Sequence, residues 1–105
     1  MLLDECVPTR LRLHLPGLPV STVAEGGWLG RRNGDLLRSM ATAGFTHLVT
    51  VDRNLTFQQN VSTSGVAVVV VHAPTNRITE LRRLMPQVAA ALGTAAPGQV
   101  VHVGV

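Results

Sequence analysis

The segment Val66-Ala67-Val68-Val69-Val70-Val71 decides the fold of this chain. It is apolar throughout, largely β-branched, and bounded by Gly65 and Pro74. Because successive side chains of a strand point to opposite faces of a sheet, an apolar run without alternation predicts a strand that is buried on both faces. Strands of this kind occur in parallel sheets with helices on each side, so the segment predicts a central parallel strand.

Strand and helix patterns alternate on both sides of this segment. Strands are predicted at 1–3, 19–23, 47–51 and 99–103. Helices are predicted after Pro8, over 33–43 and over 78–92, the last with a kink or restart at Pro86. A short helical turn is predicted at 54–60, and a glycine-rich loop at 24–32. The alternation predicts one α/β domain over residues 1–105, a three-layer α/β/α sandwich with a mostly parallel five-stranded sheet.

Composition limits the classes of protein that the chain can belong to. With 105 residues, 46% of them hydrophobic and 14% charged, the chain fits one folded domain rather than a disordered one. The net charge is +3 and every basic side chain is arginine, which suits phosphate recognition but also follows from a G- and C-rich genome. No apolar run could cross a bilayer, no signal peptide pattern is visible, and Cys6 has no second cysteine to pair with. We therefore expect a cytoplasmic protein with no membrane association.

Acidic residues collect at predicted strand exits and at one helix start. Five of the six are placed there: Asp4, Glu5, Glu25, Asp35 and Asp52. Open parallel sheets bring the carboxyl ends of their strands to one edge, so these carboxylates should converge there, where mutual repulsion favours a bound cation. Oxygen ligands suit Mg²⁺ or Mn²⁺, which can activate water and offset charge on a phosphodiester.

Simpler roles remain open for the same residues. Asp4 and Asp52 could cap helices, and Asp35 could merely favour the positive end of a helix dipole. Trp28 could stack on a nucleic-acid base or close over the core. The four histidines lack the spacing of a metal motif, so core or surface roles are expected for them.

Four motifs in order carry a family resemblance. They are Leu2-Leu3-Asp4-Glu5-Cys6-Val7-Pro8, Asn33-Gly34-Asp35-Leu36-Leu37, Thr50-Val51-Asp52-Arg53-Asn54-Leu55, and Val66 to Val71. Together they cover nearly the whole chain, which resembles the small bacterial and archaeal PIN-like proteins related to VapC-type toxin ribonucleases. The resemblance implies a PIN-like sheet, metal-dependent nuclease ancestry and, often, a toxin–antitoxin gene pair.

The resemblance also implies roles for individual residues. It matches Asp4 and Asp52 to the catalytic carboxylates of strands one and three, whereas Asn33 and Asn54 stand where the family often has acids. The expected catalytic residues are Asp4, Asp52 and Asp35, and the expected ligands of Mg²⁺ or Mn²⁺ are these three with Glu5 and Asn33. For a nuclease of this kind we expect nucleic-acid contacts from Arg53, Arg31, Arg32 and Asn54.

The expected function is that of a metal-dependent endoribonuclease, a hydrolase acting on RNA as the toxin of a pair. An antitoxin protein and a second copy of the chain are its expected partners. The alternative is a catalytically weak PIN-like module that binds an antitoxin or nucleic acid.

Overall fold

The computed structural model describes residues 1–31, 33–52, 61–75 and 77–104. Strands in these ranges are β1 (Leu2–Leu3), β2 (Ser21–Thr22), β3 (His47–Thr50), β4 (Ala67–Val71) and β5 (Val100–Val103). Helices in them are α1 (Val23–Gly26), α2 (Asn33–Thr42), α3 (Ile78–Leu81) and α4 (Met85–Thr94), with 3₁₀ helices at Thr9–His14 and Arg82–Leu84. The helical turn predicted at 54–60 lies outside the described residues. No helix in the described ranges is both long and apolar enough to cross a bilayer.

The strands form one sheet in the order β2-β1-β3-β4-β5, and every neighbouring pair is parallel. The chain moves outward from β1 to β2 and then returns to the other side of β1 to form β3. The connection that leaves β1 leads toward the β2 edge of the sheet, whereas the connection that leaves β3 leads toward the β5 edge. The direction of strand order therefore reverses between β1 and β3. In open parallel sheets such a reversal opens a crevice at the carboxyl ends of the strands.

Alternating side chains of the sheet build two separate cores. Leu3, Val49 and Val69 face the first core, which the 3₁₀ helix Thr9–His14 and α4 cover through Leu11, Met85 and Val88, among others. Leu2, Leu48 and Val68 face the second core, where α2 contributes Leu36, Leu37 and Met40. Helices thus pack on both faces of the sheet, an arrangement compatible with a three-layer sandwich.

The prediction for 66–71 is confirmed. β4 lies between β3 and β5, and all five of its side chains are buried. Val68 and Val70 belong to one core while Val69 and Val71 belong to the other, so the strand is covered on both faces. The predicted restart of the last helix is also present, because α4 begins at Met85 with Pro86 in its first turn, where a missing N–H costs nothing.

The prediction for 19–32 needs a correction. Val23 was expected to end a strand and 24–32 to be loop, but Val23 opens the short helix α1. The Thr22 hydroxyl accepts a hydrogen bond from the Glu25 backbone, and the Glu25 carboxylate accepts one from the Thr22 backbone. This capping box satisfies two helix-end donors at once, which explains why the strand stops one residue earlier than the apolar pattern indicates.

Trp28 lies between α1 and α2 as a half-buried side chain. Its ring meets Phe45 edge to face with centroids 5.8 Å apart, and it packs against the second core. The contact matches the core-closing interpretation of this residue.

Candidate functional site

The site begins where β1 ends, beside the end of β3. Asp4 follows β1 directly, and its backbone N–H donates to the Val49 carbonyl at 2.9 Å. Its own carbonyl accepts from the Val7 N–H at 3.0 Å, which turns the chain away from the sheet. The Asp4 residue is only 9% exposed. Two backbone bonds and burial therefore fix this carboxylate at the crevice that the strand order predicts.

A single hydroxyl joins the two carboxylate residues of the site. Thr50 is fully buried, and its Oγ1 donates to Asp4 Oδ2 at 2.7 Å. The same oxygen accepts from the Asp52 backbone N–H at 3.0 Å. Asp4 and Asp52, 48 positions apart in sequence, thus share one hydrogen-bonding partner. The sequence predicted from the parallel sheet that Asp4 and Asp52 would lie at the same edge, at the carboxyl ends of their strands.

The remaining Asp4 oxygen is also engaged. Asp4 Oδ1 accepts from the Glu5 backbone N–H at 2.8 Å. Each carboxylate oxygen can accept two hydrogen bonds, so each keeps one lone pair after these contacts. Asp4 is oriented by its neighbours and still able to act as a ligand.

Cys6 is a further neighbour of the Asp4 carboxylate. Its Sγ lies 3.6 Å from Thr50 Oγ1, next to the Asp4 carboxylate. Burial raises the pKa of the Cys6 thiol and outweighs hydrogen bonds from Val51 and Thr50, which lower it, while the negative charge of Asp4 adds a smaller raising effect. A thiol with a raised pKa stays protonated at neutral pH, so Cys6 lacks the thiolate that a nucleophile needs.

Glu5 and Glu25 occupy different positions. Glu5 is exposed, and its Oε2 accepts from the Gly30 N–H at 3.2 Å, which ties the loop after β1 to the loop before α2. Glu25 lies in the α1 capping box and pairs with Arg12 at 2.5 Å. The hydrogen bond from Arg12 lowers the pKa of the Glu25 carboxyl. Glu25 therefore has a structural role that does not involve Asp4. The T-x-x-E spacing of Thr22 and Glu25 was a readable signal for it.

The structure describes the side chains of only some of the other candidate residues. Asp35 is exposed in the first turn of α2 and forms an ion pair with Arg38. Arg31 is exposed, with Nη1 donating to Ser39 Oγ at 2.8 Å. Asn33 begins α2, but its side chain is not described. Arg32, Arg53 and Asn54 lie outside the described residues.

The donor set meets the minimum that a hard divalent cation requires. In the part of the chain that the structure describes, no three His, Cys, Asp or Glu side chains group together as a metal site. Mg²⁺, however, usually keeps several waters and is held by one or two carboxylates. Asp4 and Asp52 supply that number from adjacent strands, so these residues fit a Mg²⁺ or Mn²⁺ ion.

Comparisons of the chain with protein-family models, curated proteins and solved structures gave no match. The functional interpretation therefore depends on the geometry of the site and the resemblance of its motifs.

Substituting Thr50 by valine tests the shared hydroxyl. The change keeps the shape of the side chain but leaves the Asp4 carboxylate and the Asp52 N–H without a common partner. We expect the free energy of unfolding to fall by about 1–3 kcal/mol, the cost of unsatisfied buried polar groups. Denaturant titration measures this loss. In the control variant, Thr42→Val, an exposed helix hydroxyl is removed and the change should stay within about 0.5 kcal/mol. Equal stability of Thr50→Val and wild type would show that the hydroxyl does not hold the site together.

Proposed function

We propose that this chain is a Mg²⁺- or Mn²⁺-dependent ribonuclease of PIN-like type, acting as the toxin of a toxin–antitoxin pair. The observation that carries the proposal is the hydroxyl of Thr50, which links Asp4 to Asp52 at the point where strand order reverses. Sites of open parallel sheets lie at that position. Asp4 presents its carboxylate there, and Asp52 is anchored beside it through its backbone, so two acidic residues are available to hold a divalent cation.

Each residue of the proposed site has a stated task. Asp4 and Asp52 hold the cation, while Thr50 and the Glu5 backbone N–H keep the Asp4 carboxylate oriented. The cation, when bound, makes water more acidic and offsets the charge of a phosphodiester. Asp35 or Asn33, from the start of α2, completes the set of oxygen ligands directly or through water.

Arginine side chains hold the RNA in this proposal. Arg53 follows Asp52 directly in sequence, and Arg31 and Arg32 precede α2, with Asn54 beside Arg53. Guanidinium groups bind phosphate through paired hydrogen bonds, which suits a substrate with a repeated phosphate backbone. These contacts position RNA without selecting its sequence.

Protein partners are part of the same proposal. Leu13 and Leu29 expose 75% and 61% of their surface, more than core-forming leucines usually do. We place an antitoxin or a second copy of the chain against exposed apolar residues of this kind. Light scattering across a range of concentrations measures whether the chain alone is a dimer.

A second candidate function is a binding module with little catalytic power. The observation in its favour is that the Asp35 carboxylate forms an ion pair with Arg38 on its own helix, so its charge is already balanced. Asparagines at 33 and 54 also leave the region with fewer negative charges than the family pattern. Such a module would bind an antitoxin or nucleic acid without cleaving it.

Mn²⁺ binding and RNA cleavage by the wild-type chain separate the two candidates. We expect Mn²⁺ to bind, as measured by calorimetry, and to support cleavage of a mixed RNA pool that chelator abolishes. Binding of RNA without cleavage in Mn²⁺ or Mg²⁺ would reject the nuclease and favour the binding module. Absence of Mn²⁺ binding would reject the acidic site as a metal site.

A further inference from the structure

Two histidines that are 30 positions apart in sequence meet at the ends of β4 and β5. His72 follows β4 directly, and His102 lies within β5. His72 Nε2 and His102 Nδ1 are 2.7 Å apart, and the two ring centroids are separated by 4.9 Å with a 49° tilt. The sequence analysis expected core or surface roles for the four histidines, and the meeting of two of them at the surface is a further feature that the fold creates. Their chain positions carry no motif, because only the pairing of β4 with β5 brings them together.

Backbone contacts hold the two rings in place. β4 and β5 are in register with Val70 opposite His102 and Val71 opposite Val103. The His72 N–H donates to the Val103 carbonyl at 2.8 Å, which extends the pairing past the end of β4. The separation of the two histidines is therefore set by the sheet.

Gly104 lies close to the backbone of His72. Its φ is +81°, a left-handed conformation that glycine tolerates. A Cβ at this position would lie 2.4 Å from the His72 carbonyl oxygen, closer than any side chain allows. The backbone around the imidazoles is thus packed to a distance that only glycine permits.

The facing nitrogens suit a metal ion of intermediate softness. In the hydrogen-bonded pair one imidazole nitrogen donates and the other accepts, so the two point at one another. Two metal–nitrogen bonds of about 2.0–2.1 Å at a tetrahedral angle place the nitrogens roughly 3.3 Å apart. The rings need to separate by about half an ångström from the observed 2.7 Å. In the ring that donated the hydrogen bond, the proton moves to the other ring nitrogen. The nitrogen that faces the metal is then unprotonated, and no proton is released to solvent.

The chemistry of the pair separates it from the acidic site. Imidazole nitrogens favour Zn²⁺, Cu²⁺ and Ni²⁺, whereas the carboxylates at Asp4 and Asp52 favour Mg²⁺ and Mn²⁺. His102 is exposed, so water can fill the other coordination positions. The geometry points to a two-histidine site, formed by His72 Nε2 and His102 Nδ1, that binds Zn²⁺ or Cu²⁺ across the ends of β4 and β5. The bound ion links the edge strand β5 to its neighbour.

The test uses tag-free protein titrated with Zn²⁺ and with Cu²⁺ in a buffer that does not bind metal. We expect one equivalent of metal to bind to wild type. The His102→Gln and His72→Gln variants should each bind at least about tenfold more weakly, because removing even a residue that only hydrogen-bonds to a metal ligand lowers metal affinity by about that factor. Electron paramagnetic resonance of the Cu²⁺ form should show two imidazole nitrogens in wild type and one in His102→Gln.

Matched variants assign the binding to this pair. His14→Gln changes an exposed histidine of the 3₁₀ helix Thr9–His14 and should leave affinity unchanged. Circular dichroism checks folding, and His102→Gln carries the test alone if His72→Gln unfolds, since His102 is exposed on the edge strand. Equal affinity of His102→Gln and wild type, or an equal loss in His14→Gln, would overturn the site.

Discussion

Replacing Asp52 by asparagine is expected to abolish Mn²⁺-dependent RNA cleavage and leave the fold intact. Asp4 and Asp52 are the two carboxylates that the proposed site brings together, and Asn33 and Asn54 supply no charge beside them. Loss of one negative charge from so small a set lowers occupancy by the cation. It also weakens the charge that favours ionised water at the site, so both effects reduce cleavage.

Folding should not suffer from the same change. The Asp52 backbone N–H still donates to Thr50, because the substitution leaves the main chain unaltered. Without metal, the variant has one fewer negative charge near Asp4, which removes a repulsion. We therefore expect a free energy of unfolding equal to or slightly above that of wild type when chelator is present.

The assay compares wild type, Asp52→Asn and Glu80→Gln on one mixed RNA pool with Mn²⁺. Glu80 lies in α3 and is not one of the residues that the proposed site uses, so its neutralisation should leave the rate unchanged. Equal cleavage by Asp52→Asn and wild type would mean that the activity comes from a contaminant or from another site. A matching loss in Glu80→Gln would mean that cleavage depends on overall charge rather than on Asp52.

Aspartate at either Val69 or Val70 should prevent folding, the largest stability effect that we expect. Both side chains are fully buried, and they point to opposite cores. An unpaired charge in such a position costs several kcal/mol, which is comparable with the whole stability of about 5–15 kcal/mol for a domain. Circular dichroism and size-exclusion chromatography should report an unfolded or aggregated chain for both variants.

Milder substitutions make the same point measurable. Val69→Thr and Val70→Thr should each lower the free energy of unfolding by about 1–3 kcal/mol, because each buries a hydroxyl in an apolar core. Leu13→Asp is the control, since Leu13 is 75% exposed and should tolerate a charge. A sheet with one face in water would lose stability from only one of the two valine positions, and that outcome would contradict the two-core arrangement.

Elements whose pattern depends on their own residues were predictable. The apolar run of β4 required burial on two faces, and the spacing of Leu36, Leu37 and Met40 required a helix with one apolar side. Parallel pairing then placed Asp4 beside Asp52 without any knowledge of side-chain positions. These predictions depend on rules that hold whatever the rest of the chain does.

Features that depend on competing local contacts or on register were not predictable. The apolar pattern through Val23 favoured a strand, but the Thr22–Glu25 capping box ended it. Asp35 lies in the first turn of α2, as the sequence predicted, but its ion pair with Arg38 depends on side-chain conformation, which the spacing does not fix. His72 and His102 meet only because Val70 is opposite His102, and register between distant strands cannot be derived from either strand alone.

The position of β1 inside the sheet has a consequence for how the protein is made. β1 pairs with β3, and the Asp4–Thr50 contact spans 46 positions, so the contact cannot form until the chain has been synthesised through β3. At about 5–20 residues per second, translation takes roughly 2–9 s to cover that interval. During it β1 lacks its neighbour β3, and the Asp4 carboxylate lacks the Thr50 hydroxyl that orients it. Completion of the acidic site is therefore a late event in biosynthesis, and a nascent chain that stops before Thr50 has an unassembled site.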